Sequence, residues 1–185
     1  MRQCSVSSLQ STPDSTFSSC RKLWIPSIER THFTGERQEV VIDRKKAFDL
    51  IQSGKQDIEG KNSVFGQCFR QLSGCEPAKL RGKAKAFSVI FRGESGEDAG
   101  GVYREALEQV CRELQSSSLP LFVQCANGVQ GVGVNRDKWL PSPAANSPSH
   151  VAMLEFVGQM IGIALRTKNL LSLDLAPIVW KVRQQ

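Results

Sequence analysis

Aromatic side chains with a polar edge are scarce in this chain, which has one tyrosine, three tryptophans and only two histidines, His32 and His150, among its 185 residues. Without clustered aromatics there is no stacking platform for bases. The net charge of +6 raises the question of nucleic acid, but Lys and Arg are spread along the chain, in clusters no denser than Arg44–Lys46 and Lys79–Lys85. A nucleic-acid binder concentrates its basic residues in a stripe, so no nucleic-acid partner is expected. Long apolar runs are missing too. The longest, around 151–165, is interrupted by Glu155 and Gln159 and falls short of the ~20 residues that cross a bilayer, so no membrane span is expected. Residues 1–30 lack the apolar segment of a secretory signal. The six cysteines (Cys4, Cys20, Cys68, Cys75, Cys111, Cys125) are therefore read as reduced thiols of a soluble, intracellular, cytoplasmic protein and not as a disulfide scaffold.

What is present suits one domain and a tail. Residues 1–20 are rich in Ser, Thr and Gln, which predicts a disordered lead. Arg37–Ile42 has β-branched character. Asp43 can cap a following helix that carries Ala47, Phe48 and Ile51 and ends at Gly54. A second helix is predicted over 63–72, with Val64, Phe65, Cys68, Phe69 and Leu72 on one broad stripe, closed by Gly74 and Pro77. Ala86–Phe91 is the clearest strand. A glycine-rich loop, G-E-S-G-E-D-A-G-G at 93–101, leads into a helix over 102–115 with Tyr103, Leu107, Val110 and Leu114 at three- and four-residue steps. Leu119–Gln124 reads as a strand, and 126–147 as an unusually long loop. Ser147 and Pro148 open a helix with Val151, Leu154, Val157, Ile161 and Leu165 on one face and Met153, Phe156, Met160 and Ile163 around the others. Apolar residues nearly all round predict burial, and Gly158 and Gly162 would allow another element close. A last helix begins near Pro177.

Three groups could carry chemistry. The loop at 93–101 sits between a strand and a helix, as phosphate-binding loops do. Its spacing matches neither G-x-G-x-x-G nor a P-loop, and Glu94, Glu97 and Asp98 would repel a phosphate. A structural turn is the competing reading, with Asp98 or a neighbour capping the helix and Gly100–Gly101 permitting a tight entry. The cysteines form the second group. Cys68 and Cys75 are separated by six residues, which is not a zinc-knuckle spacing, and Cys68 and Cys111 fall on apolar stripes where a thiol behaves as a small hydrophobe. The third group is Arg104 and Glu105 with Asp98, either an exposed helix start or an ion-pair network tying the loop to a neighbouring element. No catalytic, metal-binding or cofactor-binding residue is assigned, and no cofactor is expected.

The segment F-S-V-I-F-R-G-E-S-G-E-D-A-G-G-V-Y-R-E at 87–105 resembles the opening signature of the HECT-type ubiquitin-ligase domain. Its fixed positions are Gly93, Glu94, Gly96, Asp98, Gly100, Gly101, Arg104 and Glu105. Further matches follow in order: P-L-F-V-Q-C-A-N-G at 120–128, N-R-D-K-W-L-P-S-P at 135–143, F-V-G-Q-M-I-G-I-A-L-R-T at 156–167 and L-S-L-D-L-A-P-I-V-W-K at 171–181. The wording is closest to the large HERC-type ligases. The resemblance spans about 37–181. It implies an α+β, mainly α-helical fold with short strands, corresponding to part of the family's N-lobe: a tail over 1–31, a helical lead-in over 32–82 and a partial HECT domain over 83–185. It implies a parent that accepts ubiquitin on a cysteine and passes it to a substrate lysine, with a ubiquitin-conjugating enzyme, ubiquitin and protein substrates as partners. The family's segments that recruit the conjugating enzyme and carry the acceptor cysteine come later than the matched part, so an inactive fragment or isoform is expected. The family's noncovalent ubiquitin surface, described for another subgroup, uses aromatics near the strand at 119–125, where this chain has Val123, Gln124 and Cys125. Two other readings of the residues stand beside it: a helical interaction module unrelated to ubiquitin, and a nucleotide-binding domain.

Overall fold

A computed structural model describes residues 25–94 and 100–181. The chain divides into two units, Met1–His32 and Phe33–Gln185. In the first, the described residues form a helical turn over 25–29, closed where the Thr31 hydroxyl donates to the Ile28 carbonyl at 2.9 Å. The rest of the expected tail, with Cys4 and Cys20, lies outside the described residues.

In the second unit the elements run β1 (Gln38–Ile42), α1 (Arg44–Ser53), α2 (Val64–Leu72), β2 (Phe87–Phe91), α3 (Gly101–Leu114), β3 (Phe122–Gln124), α4 (Ala126–Gln130), β4 (Trp139–Pro141), α5 (Pro148–Thr167) and α6 (Pro177–Trp180). The architecture is α+β and mainly helical. β1 pairs with β2 in parallel, from Gln38 opposite Phe87 to Ile42 opposite Phe91, and β3 pairs antiparallel with β4. Val40, Ile42, Phe87, Val89 and Phe91 are buried and join Phe65, Leu72, Tyr103, Leu114, Phe156 and Met160 in one core. Its rings meet edge to face, Phe69 on Phe156 at 5.7 Å and Phe87 on Tyr103 at 5.0 Å, an arrangement favoured by the aromatic quadrupole.

A two-stranded parallel sheet leaves β1 with an open edge whose polar groups need partners. Two glutamines one turn apart on α2 supply them. The Gln71 amide accepts from Val41 N–H at 3.0 Å and donates to Val41 C=O at 2.9 Å, and Gln67 does the same for Asp43 at 2.7 and 3.0 Å. The two side chains stand in for a third strand. The start of α2 is held just as closely. Ser63 caps it at Gly66 N–H, and Gly66 lies so near Gly60 that a Cβ there would sit 2.4 Å from backbone.

Helix starts expected from local signals are present: Asp43 accepts from Lys46 N–H, and Ser147 caps α5 with Pro148 at its first position. Other expectations need correction. In α1 the buried groups are Ala47 and Leu50, while Phe48 and Ile51 are exposed. Residues 126–147 are not one loop. They contain α4 and β4, held because the Asn127 amide donates to Val134 C=O and the Gln124 amide to Arg136 C=O. The strand expected over Leu119–Gln124 shortens to β3, with Leu119 and Leu121 buried ahead of it. α5 is buried on one side only. Met153, Phe156, Val157, Met160 and Ile163 follow the helical period into the core, whereas Val151 and Leu165 face outward. Gly158 and Gly162 lie on the outward side, and nothing stands within 4 Å of a Cβ built on either. With 20 residues, α5 is long and apolar enough to cross a membrane by length and composition, longer than the run read from sequence; in the fold, one face of it forms core.

Candidate functional site

Parallel pairing decides where the charges of the glycine-rich loop meet their partners. Because Ile42 and Phe91 are opposite each other, both strands release the chain at the same edge, where Arg92 N–H donates to Ile42 C=O at 2.8 Å. Arg44, the first residue of α1, thus arrives beside Glu94 of the loop and Glu105 of α3. Its guanidinium lies 3.2 Å from Glu94 Oε2 and 2.9 Å from Glu105 Oε1, and 4.7 Å above the Phe91 ring. All three charged side chains are about half exposed, so each pair contributes no more than about 1 kcal/mol. A planar guanidinium held by two carboxylates and a ring is nonetheless well fixed in direction. The network borders a cleft of about 510 Å³ whose apolar wall includes Phe48 and Ile51.

The expected motif residues fall into place unevenly. Gly93 has φ 80° and Gly100 φ 106°, values open to glycine and strained for other residues. Gly100 is the N-cap of α3, with no side-chain capping bond. Gly101 takes no such conformation and has open space where a Cβ would be, so the tight entry belongs to Gly100 alone. Glu94 and Glu105 join the network, whereas Arg104 points to solvent. Gly96, Glu97 and Asp98 lie outside the described residues. Among the described residues Glu105 pairs with Arg44, while Asp98, the third member of the expected trio with Arg104, lies outside them. Two carboxylates at the mouth of this cleft disfavour an incoming phosphate.

Two buried carboxylates, neither of them singled out by sequence pattern, hold the neighbouring segment. Glu113 of α3 accepts from Val64 N–H at 3.0 Å and Phe65 N–H at 2.8 Å, satisfying the first turn of α2. Burial pushes its carboxyl above the usual range, and the bonds from Phe65 and Val64 only partly offset that. Asp57 accepts from the N–H groups of Lys61, Asn62 and Ser63 and from the Ser63 hydroxyl, at 2.6–2.9 Å. Burial opposes its charge as well, but the Ser63 bonds followed by those from Lys61 and Asn62 prevail, and its carboxyl is held low. Anions at a helix start are favoured by the helix dipole, so both groups act as structural caps.

No group of three or more His, Cys, Asp or Glu side chains among the described residues is arranged to hold a metal. Cys68 is fully buried and its thiol is pushed up to about 12, first by burial and then by Glu113. Burial likewise raises the Cys111 thiol. The partly exposed thiols are engaged with backbone: Cys75 Sγ donates to Gln71 C=O at 3.4 Å and Cys125 Sγ to Asn135 C=O at 2.8 Å. His150 is buried in the first turn of α5, and neither ring nitrogen has a hydrogen-bond partner among the described residues. It activates none of these thiols.

No family model matches the chain. Individual proteins do. Over 123 residues, 66% of this chain, it is 44% identical to the human E3 ubiquitin-protein ligase HERC2. The human probable E3 ubiquitin-protein ligase HECTD4 is 38% identical over 128 residues, 65% of the chain. This chain is similar to part of the HECT-type ubiquitin ligases, close to the HERC type. A probable E3 ubiquitin-protein ligase of Eremothecium gossypii, TOM1, is 24% identical over 153 residues. The chain spans about 2–4% of the length of these curated relatives.

Two segments that carried the resemblance, far apart in sequence, meet in space. Trp139 of the N-R-D-K-W stretch donates to Asp174 C=O at 2.7 Å and accepts from Ala176 N–H at 2.9 Å, and Lys138 reaches the Asp174 carboxylate at 3.0 Å. The Gln115 amide at the end of α3 then bonds the same S-L-D-L segment, to Ser172 C=O and Asp174 N–H. The shared motifs thus lock β4, α3 and the lead into α6 together.

Proposed function

We propose that this chain is a structural portion of a HECT-type ubiquitin-protein ligase whose parent passes ubiquitin through a cysteine thioester to substrate lysines, and that the chain itself is catalytically empty. The similarity to HERC2 supports the parent activity, along with a conjugating enzyme, ubiquitin and protein substrates as the parent's partners. The state of the four described cysteines supports the second half. Acyl transfer needs an accessible thiolate, lowered in pKa by a cation, a helix start or a base. Cys68 and Cys111 are buried with raised thiols, and Cys75 and Cys125 are tied to carbonyl oxygens. The free thiols of these four cysteines support a reducing compartment such as the cytoplasm.

The test is a non-reducing gel after incubating the chain with ubiquitin, activating enzyme, a conjugating enzyme and ATP. The expected result is no ubiquitin adduct that reductant removes. An adduct that reductant removes and that is lost on Cys→Ala at Cys68, Cys75, Cys111 or Cys125 overturns the proposal.

A further inference from the structure

The helix that carries much of the core starts with its positive end barely answered. α5 runs for 20 residues and has no acidic residue in its first turn, although anions are favoured where a helix dipole begins. One neutral hydroxyl caps it: Ser147 Oγ accepts from His150 N–H at 3.2 Å. His150, three residues past that cap, is 9% exposed, and neither of its ring nitrogens has a hydrogen-bond partner among the described residues. Buried polar groups are normally bonded. The capping residue is also followed by proline. Ser147–Pro148 is one of three Ser/Thr–Pro pairs in the chain, with Thr12–Pro13 and Ser142–Pro143. Thr12 lies outside the described residues. Ser142 is tied into a turn, its N–H donating to Leu121 C=O at 2.9 Å and its C=O accepting from Ala145 N–H at 3.0 Å. Ser147 differs from it. Its backbone is extended, with φ −68° and ψ 152°, as suits a residue before proline, and its neighbours Asn146, Pro148 and Ser149 are exposed.

We propose that Ser147 is a phosphorylation site for a proline-directed protein kinase, and that its phosphate takes over the capping of α5 with His150 as a partner. In the transfer, the γ-phosphoryl group of ATP passes to Ser147 Oγ, the hydroxyl proton goes to the kinase's carboxylate base, and ADP leaves. The product brings three strong acceptor oxygens and about −1.5 to −2 charge. It does so where the dipole favours an anion and where the first N–H groups of a helix lack intrahelical partners. In a capping box the side chain three residues past the cap reaches back to it, and His150 holds that position. The phosphate thus gives its imidazole an acceptor. The consequence is a tighter start for the helix that places Met153, Phe156 and Met160 in the core. The site is separate from the cleft at Arg44 and does not depend on the ligase reading.

The test incubates the full 185-residue chain with a purified proline-directed kinase and ATP and locates phosphate by tandem mass spectrometry. Phosphate is expected on Ser147. It should be lost from there in Pro148→Ala, which keeps the hydroxyl and a good helix former at the first position, and retained in Ser142→Ala. The phosphorylated chain should melt about 2–4 °C above the untreated chain. That gain should vanish with phosphatase, be absent from Ser147→Ala treated in the same way, and shrink in His150→Phe. Absence of phosphate from Ser147, or labelling there that Pro148→Ala leaves unchanged, overturns the proposal. So does a phosphorylated chain that melts no higher, or a gain that Ser147→Ala or His150→Phe shows in full.

Discussion

Two regions of this chain handle charge in opposite ways. At the cleft beside the glycine-rich loop, Arg44 is held by Glu94 and Glu105 and laid over Phe91, with all three charged side chains about half exposed. At the start of α2, Glu113 is buried and accepts from the N–H groups of Val64 and Phe65. The first arrangement fastens three elements where two parallel strands end, with little gain from each exposed pair. The second sets two backbone bonds against the cost of burial and fixes a helix start. Charge alone is therefore no guide to role, and the groups around it decide.

The interior sharpens that contrast with the largest expected effect. Glu113 is answered by two helix-start N–H groups and is buried, so Glu113→Gln should lower stability by about 3 kcal/mol, the scale of a broken buried charge arrangement. Urea titration measures it, and a loss near zero would mean that the α2 start finds its partners elsewhere. A smaller loss, about 1–3 kcal/mol, is expected for Gly100→Val, since its left-handed φ is strained for a side chain. Gly101→Ala should be neutral or slightly stabilising, since that position is helical and open. Equal melting losses from the two glycine variants would contradict the assignment of the tight entry to Gly100. Smaller again is Arg44→Met, at about 1 kcal/mol or less for a half-exposed network, with the loss fading as salt is added.

The two buried carboxylates also separate by pH. Asp57 is held below the usual carboxylate range, so its contribution is present above that range and is lost as pH falls through the folded value. Glu113 is raised, so the sign reverses: its titration favours the fold below the usual range, and that contribution is lost as pH rises through the folded value. The melting gap between the wild type and Asp57→Asn should therefore widen with rising pH, while the gap to Glu113→Gln narrows. Parallel gaps would mean that the two carboxyls do not differ in environment. In the same spirit, brief alkylation of native protein should label Cys75 and Cys125 ahead of Cys68 and Cys111 by mass spectrometry. The reverse order would show that Cys68 and Cys111 are reached by solvent.

These contrasts also show which parts of the fold can be read from sequence. Helix starts and the two main strands were legible because their signals are local: Asp43 before Arg44, Ser147 before Pro148, and the β-prone run ending at Phe91. The face of α5 was not, because its apolar residues surround the helix and only packing chooses Met153 and Met160 over Val151 and Leu165. α4 and β4 escaped notice because side-chain bonds to backbone stabilise them more than periodicity does. At the candidate site, Glu94 and Glu105 were legible through the motif they belong to. Arg44 was not, since its place depends on strands paired across 49 positions, from Ile42 to Phe91. Gln67, Gln71 and Glu113 were hidden for the same reason: each serves backbone groups distant in sequence.

The central claim is that this chain supplies ligase architecture and not the acceptor thiol. It is tested most directly by grafting residues 37–181 of this chain into human HERC2 in place of the corresponding stretch and following reductant-sensitive charging with ubiquitin. The account expects the chimera to be charged, and to remain so when Cys68, Cys75, Cys111 and Cys125 are all replaced by Ala. A folded chimera that is not charged, or one whose charging disappears with those four cysteines, would contradict it.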